Sequence, residues 1–267
     1  MSGALEAALA RHRRISVTAL ALLAVLAWAW LLGGAGMGME PLVSLVPLAG
    51  GRGDMTGMAM NMPLAWSAGW FALVLSMWWI MMVAMMLPSA APTILLYARA
   101  SGAGQVATGP ATGSFLAGYL IAWGGFSLAA ALLQMALERG GLLSPMWMAS
   151  RTDWLSASIL IAAGLYQLSP LKDVCLRHCR NPAQFLSSHY RPGAAGALRM
   201  GLLHGSYCVG CCWLLMALLF VGGVMNLAWI ALLTLMVAAE KLLPRGRIVA
   251  IVTGLACLAW GLAMLLG

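Results

Sequence analysis

Charge is what this chain has least of. Only 8% of its 267 residues are Asp, Glu, Lys or Arg, against about a quarter in a soluble globular domain. The acids are the scarcer half, seven against fifteen Lys and Arg. They are scattered, so no two carboxylates stand at a spacing suited to acid–base hydrolysis. No glycine-rich phosphate loop follows a strand-like run, which argues against an ATP-driven pump within this chain. A soluble basic face is also missing, which excludes a nucleic-acid partner. The net charge of +8 reads instead as anchoring at an anionic cytoplasmic leaflet.

What is there is apolar. Hydrophobic residues make up 63% of the chain, and the few charges collect between long apolar runs, as in a multi-pass membrane protein. The runs predict an all-α, polytopic transmembrane bundle of about seven helices, at 15–32, 63–87, 113–137, 154–171, 200–221, 223–243 and 248–266. The first run is about 18 residues, longer than the 7–15 of a signal-peptide core, so it reads as an uncleaved helix. Residues 1–14 are then a basic cytoplasmic N-terminus and 15–267 a single membrane domain. Pro88 and Pro92 are expected to end or kink the second helix.

Orientation follows from the Lys and Arg residues. With the N-terminus inside, the inner segments carry Arg11, Arg13, Arg14, Arg99, Lys172, Arg177, Arg180, Arg191, Arg199, Lys241, Arg245 and Arg247. The outer ones carry only Arg52, Arg139 and Arg151. This is the positive-inside bias, and it puts the bilayer first among the partners.

Six Cys and twenty Met are the unusual components. Five of the Cys fall in or near segments assigned to the cytoplasmic side, where thiols stay reduced. The fifth run contains Met200-Gly-Leu-Leu-His204-Gly-Ser-Tyr-Cys208-Val-Gly-Cys211-Cys212. At about 100° per residue, Cys208 lies roughly 40° from His204, Cys211 roughly 20° the other way and Cys212 near 80°. These side chains therefore share a helical face. At 1.5 Å per residue Cys208 to Cys212 lie about 12 to 18 Å from Met200, near the middle of a roughly 30 Å hydrocarbon core. Cys175-Leu-Arg-His178-Cys179 adds a second Cys/His group at the cytoplasmic end. Arg177 and Arg180 beside it favour the thiolate, which is both ligand and nucleophile.

Methionine supplies a third set. Met77, Met81 and Met85 form an i, i+4, i+8 stripe on the second helix, widened by Met82 and Met86. Met37, Met39, Met55, Met58, Met60 and Met62 crowd the connection before it. Thioethers and thiolates suit Cu(I), although Met also serves as adaptable packing. Zinc fits the Cys/His donors as well. Glu240 is expected to pair with Lys241 or Arg245, and Gln134, Gln167 and Asn226 to bond between helices.

Three blocks carry a resemblance. They are Trp79-x-x-Met82-x-x-Met85-Met86-Leu-Pro88, then Tyr166-Gln-Leu-Ser-Pro-Leu-Lys-Asp-Val-Cys175-Leu-Arg-His-Cys179-Arg, and Gly201-x-x-His204-Gly-x-Tyr207-Cys208-x-Gly-Cys211-Cys212-Trp213. Gly222-Gly-Val-Met225-Asn226 leading to Glu240-Lys241 continues them. Across about residues 70–247 the chain resembles a bacterial family labelled predicted metal-binding integral membrane proteins, a domain of unknown function. The resemblance implies a multi-pass protein of the bacterial inner membrane with a metal site at Cys175, Cys179, His204, Cys208, Cys211 and Cys212.

The residues favour copper handling, by transport, storage or delivery, with a metallochaperone or a membrane metalloenzyme as partner. Two other readings are an intramembrane, quinone-linked thiol oxidoreductase using Cys208 and Cys211, and a structural subunit of a membrane enzyme complex.

Overall fold

The computed structural model describes residues 2–36, 66–103, 108–145 and 147–266, with side chains for 14–36, 66–101, 111–145 and 147–266. The six methionines of the connection before the second helix lie outside these residues. The described chain is helical: α1 (Ser2–Leu32), α2 (Ala68–Ala103), α3 (Thr108–Arg139), α4 (Asp153–Leu168) and α5 (Pro170–Arg180). There follow α6 (Pro182–His189), α7 (Gly193–Ala217), α8 (Leu219–Gly222), α9 (Leu227–Leu242) and α10 (Gly246–Leu266).

Five helices among the described residues are long and apolar enough to cross a membrane, in α1, α2, α3, α7 continued through α8, and α10. A sixth is available if α4 and α5, bent by 65°, form one broken span. The expected seven differ mainly at α4 and α9, which have 16 residues each. At 1.5 Å per residue that is about 24 Å, short of a roughly 30 Å hydrocarbon core. Proline sets the C-terminal limit of each, and α9 also begins four residues later than the expected 223, after Gly223 at φ 94° and the Asn226 cap. Ser169 and Leu243 precede Pro170 and Pro244 and take ψ of 149° and 144°, because the proline ring disfavours the helical region for its predecessor.

Proline does not end α2. The helix passes through Pro88 and Pro92 and overruns the expected stop at Pro88. Pro88 has no N–H to offer the carbonyl of Ala84, and that carbonyl accepts the Trp28 indole N–H at 3.1 Å instead. An interhelical bond thus replaces the lost helical one and ties α1 to α2.

The basic connection 172–199 is also folded. The guanidinium of Arg247 donates to the carbonyls of Gln167 and Leu168 at 3.1 and 3.2 Å, capping the end of α4, and pairs with Asp173 at 2.8 Å. Ser169 caps α5 by accepting from the Lys172 N–H. Asp173 in the first turn and Arg177, His178 and Arg180 in the last complement the helix dipole. These contacts fix the bend that turns α5 back onto α7.

The closest helix contact is between α3 and α7. A Cβ on Gly201 would stand 1.9 Å from the Phe115 carbonyl oxygen, and one on Gly118 2.1 Å from that of Leu198. Small residues let the two backbones touch. Gly201→Val is expected to push the helices apart at the 1–3 kcal/mol or so typical of overpacking. A Gly201→Val protein with wild-type melting and monodispersity in detergent would show that this approach is dispensable.

Candidate metal centre

The helix–helix approach of α3 and α7 brings Tyr119, one residue beyond Gly118, to within 3.1 Å of Cys208 Sγ. Cys208, Cys211 and Cys212 are buried, and Cys175 and Cys179 partly so. All six cysteines are free thiols. Cys179, delivered by the folded-back α5, comes near enough to Cys208 and Cys211 to act on them electrostatically. Cys212 is likewise a near neighbour of both. Four thiols from two helices therefore form one cluster. Two of them also donate to the Cys208 carbonyl, Cys211 Sγ at 3.1 Å and Cys212 Sγ at 2.9 Å.

The expected methionine stripe is buried along α2, with Met77, Met81 and Met85 no more than 1% exposed. The methionine that reaches the thiols is Met86, whose Sδ lies 3.9 Å from Cys212 Sγ. It was expected only to widen the stripe. One residue of helix is 100° of rotation, and the packing of α2 against α3 settles which edge of the stripe faces inward.

Lys241 is the larger surprise. Its ammonium group donates to Cys208 Sγ at 3.0 Å, to Ser89 Oγ at 3.4 Å and to Met86 Sδ at 3.8 Å. It does not pair with Glu240. That carboxylate takes the Lys172 ammonium on one oxygen and the Gln167 amide on the other, at 2.6 Å. Lys172 also bonds Gln167. Lys172, Glu240 and Gln167 are at most 1% exposed. Adjacent helical residues point about 100° apart, so Glu240 and Lys241 serve different sides of α9. The buried pair anchors one side, and the lysine enters the sulfur cluster on another.

His204 lies one turn before Cys208 on α7, packed among Phe115, Tyr119 and Phe185 with ring centroids 5.2 to 6.1 Å apart. It is 2% exposed, and its Nδ1 has no hydrogen-bond partner. A buried, unsatisfied polar atom costs about 1–3 kcal/mol, which a phenylalanine here would avoid. Cys208, Cys211 and Lys241 are close enough to act on it electrostatically. His178, grouped with Cys175 and Cys179 in the sequence, turns to Tyr207. Its ring stacks on Tyr207 at 4.1 Å and an interplanar angle of 7°, with Nδ1 on the Val174 carbonyl. Cys175 lies one turn of α5 from Cys179 and packs on α7 at Gly210, where a Cβ would come within 3.0 Å of its sulfur.

The remaining polar residues divide. Gln134 joins α2 to α3 by accepting the Trp78 indole N–H at 2.7 Å, as expected of an interhelical bond. Asn226 caps α9, its side chain accepting from the Trp229 N–H at 3.1 Å. The residues that sequence reasoning missed, Lys241 and Tyr119, had one usable signal between them: a lysine closing an apolar helix beside a glutamate.

Among the described residues, no three His, Cys, Asp or Glu side chains stand as a ready-made coordination shell. The reason is chemical. Protonated Cys211 and Cys212 thiols point at a carbonyl, and a metal-bound thiolate has no proton to donate there. A thiol that binds a metal gives up its proton, so ion binding and these hydrogen bonds exclude each other. The donors themselves are four thiols, a thioether and a neighbouring imidazole, a soft set that suits Cu(I). Tyr119 touches the Cys208 sulfur and, were that sulfur to bind an ion, would orient it. Tyr119→Phe should weaken metal binding about tenfold, as for lost outer-shell partners. Affinity equal to wild type in chelator competition would remove that role.

Residues 75–264, most of the chain, match a family described as PpoB2, copper chaperone. No curated protein and no solved structure gives a significant match.

Proposed function

Since the chain belongs to the PpoB2 copper chaperone family, we propose that it is a membrane-integrated chaperone that holds Cu(I) on sulfur and passes it to a metalloenzyme or a second metallochaperone. The carrying observation is the cluster of Cys179, Cys208, Cys211 and Cys212 with Met86. Sulfurs 3.9 Å apart, as in Cys212 and Met86, can share an ion at metal–sulfur bonds of about 2.3 Å with an angle near 115°, a trigonal arrangement. Low-coordinate sites of thiolate and thioether favour Cu(I) over harder ions.

In this reading Cys208, Cys211, Cys212 and Cys179 bind the ion and Met86 completes the set. His204 stands beside it as an alternate donor. Cys175 offers the next thiol outward along α5, so the ion can move by ligand exchange without being released to water. Met77, Met81 and Met85 lie on the same helix as Met86 and offer thioethers along α2. The positive-inside bias supports a cytoplasmic N-terminus and an inner-membrane location, with α4–α5 and α9 as the sixth and seventh crossings.

Metal analysis of the detergent-purified, full-length protein loaded under reducing conditions tests the proposal. About one tightly held Cu(I) per chain, retained against a moderate excess of zinc, is expected. A protein that retains no copper, and whose Cys208 and Cys211 variants grow as wild type under metal stress, would overturn it. Reporter fusions at each terminus test the topology.

A further inference from the structure

Lys241 is 7% exposed and closes an apolar helix. Among the described residues the ion pairs are Lys172–Glu240 and Arg247–Asp173, and Lys241 belongs to neither. Buried charges are normally paired with an opposite charge or a metal. Here the three atoms that receive the ammonium are Cys208 Sγ, Met86 Sδ and Ser89 Oγ. An ammonium has three donors, so this shell satisfies it completely. Two of the three acceptors are sulfurs of the copper cluster.

Building on the copper reading above, we propose that Lys241 is a tethered cation that holds the place of Cu(I) in the sulfur cluster and is displaced when the ion enters. Its departure and return would then set how tightly copper is held and how readily it is given up.

Three features support the exchange. First, the charges match. Cu(I) and the ammonium each carry one positive charge, so exchanging one for the other leaves the charge contributed by the cation unchanged, breaks N–H···S and forms Cu–S contacts, and transfers no electron; each thiol that becomes a ligand releases its proton to water. A divalent ion would leave an extra charge in a low-dielectric site, so the exchange favours a monovalent one. Second, both cannot stay, because like charges a few ångströms apart repel strongly away from water. Third, the lysine has somewhere to go. It is the last charged residue of α9, on a flexible four-carbon stem that can extend to the interface. The next two residues, Leu242 and Leu243, are already exposed. Glu240 does not follow it, since Lys172 and Gln167 hold that carboxylate on a different side. A chaperone must release its cargo, and a resident competitor that refills the site makes release easier without opening it to water.

Full-length protein in detergent, titrated with Cu(I) against a chromophoric Cu(I) chelator, tests this. Lys241→Leu, which adds no new ligand, is expected to bind Cu(I) about tenfold tighter, equivalent to ~1.4 kcal/mol, and to release it more slowly. Lys241→Arg, which keeps the charge, should stay near wild type. A Lys241→Leu protein that binds Cu(I) no more tightly than wild type overturns the inference and leaves the copper reading standing. Wild-type protein that binds no Cu(I) overturns both.

A second measurement needs no variant. Amine acylation read by mass spectrometry should label Lys241 more after Cu(I) loading, with Lys172, buried against Glu240, unchanged as reference. Equal protection of Lys241 with and without Cu(I) overturns the displacement.

Discussion

Cys208→Ser is expected to lower Cu(I) affinity by at least about 100-fold, since loss of an outer-shell partner alone costs 10- to 100-fold and here a ligand itself is removed. The sulfur of Cys208 is the most heavily engaged atom of the cluster. It receives the Lys241 ammonium, touches the Tyr119 hydroxyl and is electrostatically coupled to the Cys179 and Cys212 thiols. A serine hydroxyl is a hard, neutral donor with little affinity for Cu(I). Two controls bound the effect. Cys175→Ser, one turn out along α5, should cost less than about tenfold, below the range typical of a ligand or its direct partner. Cys257→Ser on α10 should change nothing, because that thiol is not among those contacting the cluster. Chelator competition on the three proteins gives the ranking, and a Cys208→Ser protein with wild-type affinity would remove the cluster from consideration as the copper site.

Glu240→Leu is expected to destabilise the fold by about 3–5 kcal/mol, the cost of leaving one member of a buried ion pair without its partner. Lys172 is fully buried, and among the described residues its side-chain acceptors are Glu240 and Gln167. The double substitution Lys172→Met with Glu240→Leu should recover most of that loss, because a buried pair replaced by apolar residues of similar volume is often neutral. Unfolding in mixed micelles measures both. A single variant within about 1 kcal/mol of wild type, the range of an exposed pair, would mean that water reaches the pair. The same bond sets the rotation of α9, so Glu240→Leu should also loosen the aim of Lys241 at Cys208.

Much of this was legible in the chain. Scarcity of charge and the length of the apolar runs gave the helical membrane class, because both follow from what a bilayer tolerates residue by residue. The shared face of His204, Cys208, Cys211 and Cys212 came from helical periodicity alone, and the structure keeps all four buried on α7. Periodicity failed where proline acted in two ways. Pro170 ends α4 early, whereas Pro88 leaves α2 intact because Trp28, far away in sequence, supplies the missing donor. The distinction lies in a tertiary hydrogen bond that no local pattern carries.

The site divides along the same line. Which residue types hold a soft ion, and that several of them share one helix, is written in the order of residues. That Cys179 joins the cluster while His178 turns to Tyr207, that Met86 rather than Met77, Met81 or Met85 reaches it, and that Lys241 rather than Glu240 faces it are matters of helix rotation. Rotation is set by contacts between distant segments: Gly201 against Phe115, Arg247 on the end of α4, and Glu240 on Lys172. The sequence by itself determined helices apolar enough for a bilayer and a set of soft side chains along them. Only packing decided which of the candidate side chains meet, because a one-residue step turns a helix by 100° and exchanges one neighbour for another.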